Sequence, residues 1–172
     1  RVVNGGFEVD TTGWTGFNFA GVTTATGGQL GAGTSASNHH FGKSVKLTGT
    51  ASSDGGLFQD FSGLRPDTEY KFRVWVSASS FTGYFFLKVE GGQTAVYSPA
   101  ITPDAGWREV VVTARTTTNW SLNDFLRLQL RVQPGASGAG QVFVDEAAVA
   151  WVNDVGDEGA TYPFYYDVTD NN

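Results

Sequence analysis

The sequence predicts an all-β domain folded as a two-sheet sandwich, and three observations carry that expectation. Glycine supplies 23 of the 172 residues, so sharp turns are frequent. Threonine, valine and phenylalanine, which suit a pleated and half-buried surface, fill the stretches between turns. Those stretches alternate apolar and polar residues, and none repeats at the helical period.

The elements follow in order. Asn4, Gly5 and Gly6 open the chain with turn-formers, and residues 17–26 (FNFAGVTTAT) read as the first strand. Residues 27–42 are rich in Gly, Ser, Ala and Asn and read as a long loop. Strands are then expected at 43–51 (KSVKLTGTA), 56–64 (GLFQDFSGL), 69–79 (EYKFRVWVSAS) and 83–92 (GYFFLKVEGG). Four more are expected at 94–102 (TAVYSPAIT), 107–116 (WREVVVTART), 125–135 (FLRLQLRVQPG) and 141–152 (QVFVDEAAVAWV). Their spacing suits a sandwich or jelly roll. The domain is expected to span 1–152, with 153–172 an acidic, then aromatic, exit segment or linker. A start at Arg1 without methionine reads as a piece of a longer chain.

Two strands show their faces openly. Tyr70, Phe72, Val74 and Val76 share one side, with Lys71, Arg73, Trp75 and Ser77 on the other. Leu126, Leu128, Leu130 and Val132 likewise oppose Arg127, Gln129 and Arg131. Successive side chains of a strand point to opposite faces, so each strand offers one side to a core and one to solvent.

Composition removes several functions. With no cysteine, thiol catalysis, disulfides and thiolate-bound zinc are excluded. A formal charge of −6 without a basic stripe argues against nucleic acid as a partner. No apolar run approaches the roughly 18 residues of a membrane span. His39 and His40 sit together in the polar loop and read as a solvated pair. The carboxylates sit mostly in turns and at strand ends, and no nucleophile elbow is present, so no enzyme activity is expected.

Trp75 is the sharpest candidate for binding. An indole on an outward face can stack on a pyranose ring, while arginines donate to hydroxyls or carboxylates. Arg73 lies beside it, and Arg127, Gln129, Arg131 and Tyr97 could line the same groove, with Lys71, Lys88 and Tyr84. If the strands share one sheet, the cations would suit an anionic glycan. The alternative is that this face packs against a loop or another subunit and that the arginines pair with acids such as Glu90. Trp14 and Trp107, in Gly-Trp turns, read as core plugs; Trp120 and Trp151 are open to either role.

The order of short motifs adds a family. VVNGGFEVDTTGW, HFGKSVKLTG, FQDFSGLRPDTEYKFRVWVSA, GWREVVVTA and QVFVDEAAV, running from Val2 to Val152, resemble the carbohydrate-binding modules of the family 4, 9 and 22 type. The resemblance implies a jelly roll without catalytic activity that binds glycan on a concave sheet face. It further implies a structural calcium ion, held by Glu8 and Asp145 with carbonyls near Gly6 and Lys43. Similar modules occur in bacteriophage minor tail proteins, whose domains end in a segment like PYFDGDT; TYPFYYDVTDNN resembles it but lacks the glycine. This implies an extracellular or virion-surface setting, and an alternative role as a host-adsorption or structural domain that assembles, as a homo-oligomer for instance, without binding sugar.

Overall fold

A computed structural model describes residues 2, 5–6, 12–17, 22–27, 44–49, 54–91, 95–135 and 140–152. These residues form ten strands: β1 (Thr15–Phe17), β2 (Val22–Gly27), β3 (Ser44–Gly49), β4 (Gly55–Phe61), β5 (Glu69–Ser79), β6 (Gly83–Glu90), β7 (Val96–Tyr97), β8 (Arg108–Arg115), β9 (Leu126–Pro134) and β10 (Gln141–Val152). They form two five-stranded antiparallel sheets, in the orders β1-β4-β9-β6-β7 and β2-β3-β10-β5-β8. We call these the β9 sheet and the β10 sheet, after their central strands. The architecture is the jelly-roll sandwich that the sequence predicts.

The core lies between the inner faces. Phe72, Val74 and Val76 of β5 are fully buried, and so are Leu128, Leu130 and Val132 of β9. Val45 and Leu47 of β3, Phe85, Leu87 and Val89 of β6 and Val142 and Val144 of β10 complete the layer. Phe61 meets Phe72 edge-on across the sheets, with ring centroids 5.5 Å apart. Each of these large apolar side chains contributes roughly 1.5–3 kcal/mol on burial, so the alternation in the sequence is what selects the register of each strand.

Two strand assignments change. The expected strand at 17–26 is two strands in different sheets, β1 and β2, with residues 18–21 outside the described part. The stretch 94–102 contributes only the two residues of β7. Ile101 then forms a separate bridge with Phe85, and the Ser98 hydroxyl accepts from the Leu87 amide at 2.9 Å. Pro99 lacks the N–H a continuous ladder needs. Residues 28–42 and 153–172, read as loop and exit segment, lie outside the described residues.

The tryptophans divide. Trp14 and Trp120 are buried, Trp107 is only half-buried rather than a full core plug, and Trp151 is exposed under the Arg65 guanidinium, 4.8 Å from its ring centroid.

Candidate functional site

The two sheets separate residues that the sequence reading placed on one surface. Trp75, Arg73 and Lys71 lie on β5, in the β10 sheet, whereas Arg127, Gln129 and Arg131 lie on β9, in the other sheet. Both sets point away from the core, because Phe72, Val74, Leu128 and Leu130 point into it. They therefore occupy opposite outer faces of the sandwich. The single platform of Trp75 with the β9 arginines does not form, and the five-cation cluster divides with it.

On the β10 sheet, Trp75 is half-buried, opposite Asp145 on one side and Glu109 on the other. Arg73 forms an ion pair with Glu109 at 3.1 Å. Ser77, Phe143 and Asp145, neighbours on this outer face, are all buried, whereas Glu109, Thr113 and Arg115 toward its β8 edge are exposed.

The outer face of the β9 sheet carries aromatic rings together with Arg127, Arg131 and Lys88. Its register gives three rows across the strands. Phe17, Gly56, Arg131 and Phe86 form the first; Thr15, Phe58, Gln129, Lys88 and Tyr97 the second; Asp60, Arg127 and Glu90 the third. Tyr84 opposes Gln133 beyond the first row, and Tyr84 and Tyr97 are more than half exposed.

Rings and guanidinium groups alternate over this face. The Arg127 guanidinium lies 4.0 Å from the Phe58 ring centroid and 5.5 Å from that of Phe125. Arg131 lies 5.2 Å from Phe17 and 5.8 Å from Phe86, and the Lys88 ammonium 5.9 Å from Tyr97. Phe17 and Phe58 tilt together at 6.4 Å, as do Phe86 and Tyr97 at 6.2 Å. Such contacts hold rings and cations in place.

Each cation also has an acid. Arg127 grips both Asp60 oxygens, at 2.7 and 2.8 Å, Arg131 pairs with Asp54, and Lys88 with Glu90. The hydrogen bond to Asp60 raises the Arg127 pKa further above its ordinary value, against the opposing effect of burial. Gln129 sits at the centre with its amide donating to Glu90 and its carbonyl accepting from Arg131 at 3.0 Å. Being only 7% exposed, it orients its neighbours more than it offers itself to a ligand. The Arg131 Nε is buried without a hydrogen-bond partner among the described residues.

Of the expected calcium ligands, Glu8 and Lys43 lie outside the described residues. Gly6 belongs to a turn, and Asp145 is buried at 5% exposure beside a bulge in β10, where the register shifts between Asp145 and Ala148. Glu146 takes a positive φ of 51° there, and its amide donates to Asp145 Oδ1 at 2.8 Å. The Ala147 amide donates to the Gly5 carbonyl at 3.0 Å, which brings the N-terminal turn to the last strand. The buried Asp145 carboxylate thus lies on the strand that the N-terminal turn reaches. Among the described residues no three acidic or histidine side chains converge on one point.

The sequence reading missed Phe17, Phe58 and Phe86. The available signal was parity: Phe58 alternates with Asp60, and Phe86 with Tyr84, Lys88 and Glu90.

Solved structures share the sandwich at low identity, which is a likeness of fold. A Stig cyclase from Fischerella sp. TAU, in complex with an indole compound, superposes with a TM-score of 0.68 at 17% identity, covering 88% of this chain and 96% of its own. The CBM22-1–GH10 modules of Clostridium thermocellum xylanase 10B, complexed with xylohexaose, give 0.64 at 14% identity over 89% of this chain and 28% of theirs. The enzymatically active domain of bacteriophage CBA120 tailspike protein 4 gives 0.65 at 13% identity, over 88% of this chain; the match spans only 21% of that domain. No curated protein sequence matches the chain. The model of the carbohydrate binding domain family CBM_4_9 matches residues 1–137, most of the 172 residues, and to that family the chain belongs.

Proposed function

We propose that the outer face of the β9 sheet binds a segment of an uncharged glycan without chemically altering it. The observation that carries this reading is the pairing of every cation there with an acid. Arg127, Arg131 and Lys88 face Asp60, Asp54 and Glu90. An anionic glycan would have to displace those carboxylates or lie against them. A neutral sugar meets ring faces for its C–H surface and fixed donors and acceptors for its hydroxyls. The same engagement of the acids argues against a glycosidase pair, which needs one carboxyl held protonated. Family membership supports a glycan partner, and the reading places the domain outside the cell or on a virion.

Titration calorimetry with neutral and uronate-containing oligosaccharides tests it. Neutral chains are expected to bind and the charged ones not; binding of the charged set alone ends the reading.

Asp145, with Glu8 and the carbonyls of Gly6 and Lys43, is assigned here to a structural calcium ion. The buried carboxylate at the meeting of the first turn and last strand supports this. Calcium at about a hundred times its dissociation constant is expected to add about 2.7 kcal/mol to stability. Thermal unfolding with calcium and with chelator should show that gain, and Asp145→Asn should abolish it.

A second reading draws on the likeness to the tailspike domain: the module serves phage attachment or assembly and takes no sugar. Absence of binding across a broad glycan array, with adsorption to host envelopes retained, would select it.

A further inference from the structure

We propose that the edge of β8 that faces away from β5 pairs antiparallel with the β8 edge of a second copy of this chain, about a two-fold axis through Val112. Strand β8 ends the β10 sheet, and among the described residues it pairs with β5 alone. It is eight residues long, contains no proline, and follows β5 without a register shift. Exposed edges are usually blunted by bulges, prolines or central charges; here Val110 to Ala114 carry none of these.

The backbone phase points the right groups outward. The Thr116 amide donates to the Thr68 carbonyl at 3.0 Å, so Thr116 addresses β5. Alternation along an extended strand then turns the N–H and C=O of Ala114, Val112 and Val110 toward β5. Those of Glu109, Val111, Thr113 and Arg115 face away from it. With the axis at Val112, Glu109 meets Arg115 of the second copy, and Val111 meets Thr113. All four outward residues fall in hydrogen-bonded pairs.

Charge selects this register over its neighbours. Glu109 and Arg115 are exposed on the outer face at opposite ends of β8. Within the chain Glu109 pairs with Arg73 at 3.1 Å and Arg115 with Asp67 at 2.9 Å. The pairing therefore lines up Arg73, Glu109, then Arg115 and Asp67 of the second copy, in alternating sign, and repeats the row on the other side of the axis. Moving the axis by one residue, to Val111 or Thr113, breaks both Glu–Arg pairs. Opposite charges directly across strands favour a register, and like charges oppose it.

Because the two copies would join edge to edge in one continuous sheet, their β9-sheet faces would look the same way. If those faces bind glycan as proposed above, the dimer would engage one polymer surface twice and gain avidity. The pairing itself does not depend on that reading.

Sedimentation of the full chain over a concentration series should show a monomer–dimer equilibrium; a monomer up to the highest concentration overturns the proposal. Register is read by cross-linking, which is clean because the chain has no cysteine. Val111→Cys and Thr113→Cys chains, mixed and mildly oxidised, should form the disulfide dimer several-fold more than either variant alone, since hydrogen-bonded partners sit about 5.5 Å apart at Cα. Equal cross-linking by one variant alone overturns this register. Val111→Pro removes only an outward N–H, a position where an edge strand tolerates proline. It should raise the dimer dissociation constant at least about tenfold.

Discussion

Replacing Phe86 and Tyr97 together by alanine is expected to weaken glycan binding at least about thirty-fold, the loss of an interface hot spot, while Trp75→Ala leaves affinity unchanged. Phe86 and Tyr97 lean on each other at 6.2 Å on the β9 sheet. Arg131 and Lys88 flank them on the same face. Tyr97 is 55% exposed, so removing it exposes no core, and Phe86 is only half-buried. Trp75 serves as the control because it stands on the opposite outer face. The measurement is titration of a neutral oligosaccharide against each variant, with circular dichroism to show that the sheets persist. Loss of affinity in Trp75→Ala with affinity retained in the double variant would move the site to the β10 sheet.

That contrast shows what alternation can and cannot convey. The period of two in YKFRVWV and LRLQLRV sorts each strand into an inner and an outer side, and burial follows it except at Gln129, which is buried on the outer side. It carries no information on which sheet a strand joins. β5 pairs with β8 and β10, and β9 with β4 and β6, partners fixed by long-range packing and loop geometry. Two outward faces therefore read as one surface in the sequence. The aromatic half of the β9 face was also hard to see, since Phe58 and Phe86 each sit beside a phenylalanine or leucine that is core. Only the phase of the neighbouring charges, Asp60 and Lys88, distinguishes them. The pairing of Arg127 with Asp60 and of Arg131 with Asp54 joins residues 67 and 77 positions apart. No local pattern encodes it, yet it decides between a charged and a neutral ligand.

Alanine at Gly56 is expected to cost both stability and binding. Gly56 lies in the first row of the β9 face, between Phe17 and Arg131. A Cβ there would fall inside the van der Waals shell of the Leu130 carbonyl. That oxygen belongs to the backbone of β9, the sheet's central strand, so no rotamer change can make room. Either β4 or β9 must shift, and overpacking of this kind costs about 3 kcal/mol, which is a fall of about 6–12 °C in melting temperature for a domain of this size. The shift would also lift Arg131 from its seat across Gly56 toward the Phe17 ring, so affinity should fall along with stability. Gly63→Ala is the matched comparison. Gly63 has a φ of 67°, and a Cβ there meets nothing within 4 Å. It should therefore lose only the left-handed penalty of about 1–2 kcal/mol and bind glycan as the unaltered chain does. Equal melting temperatures for Gly56→Ala and the parent would mean that β4 and β9 do not approach so closely, and the packing of the proposed face would have to be redrawn.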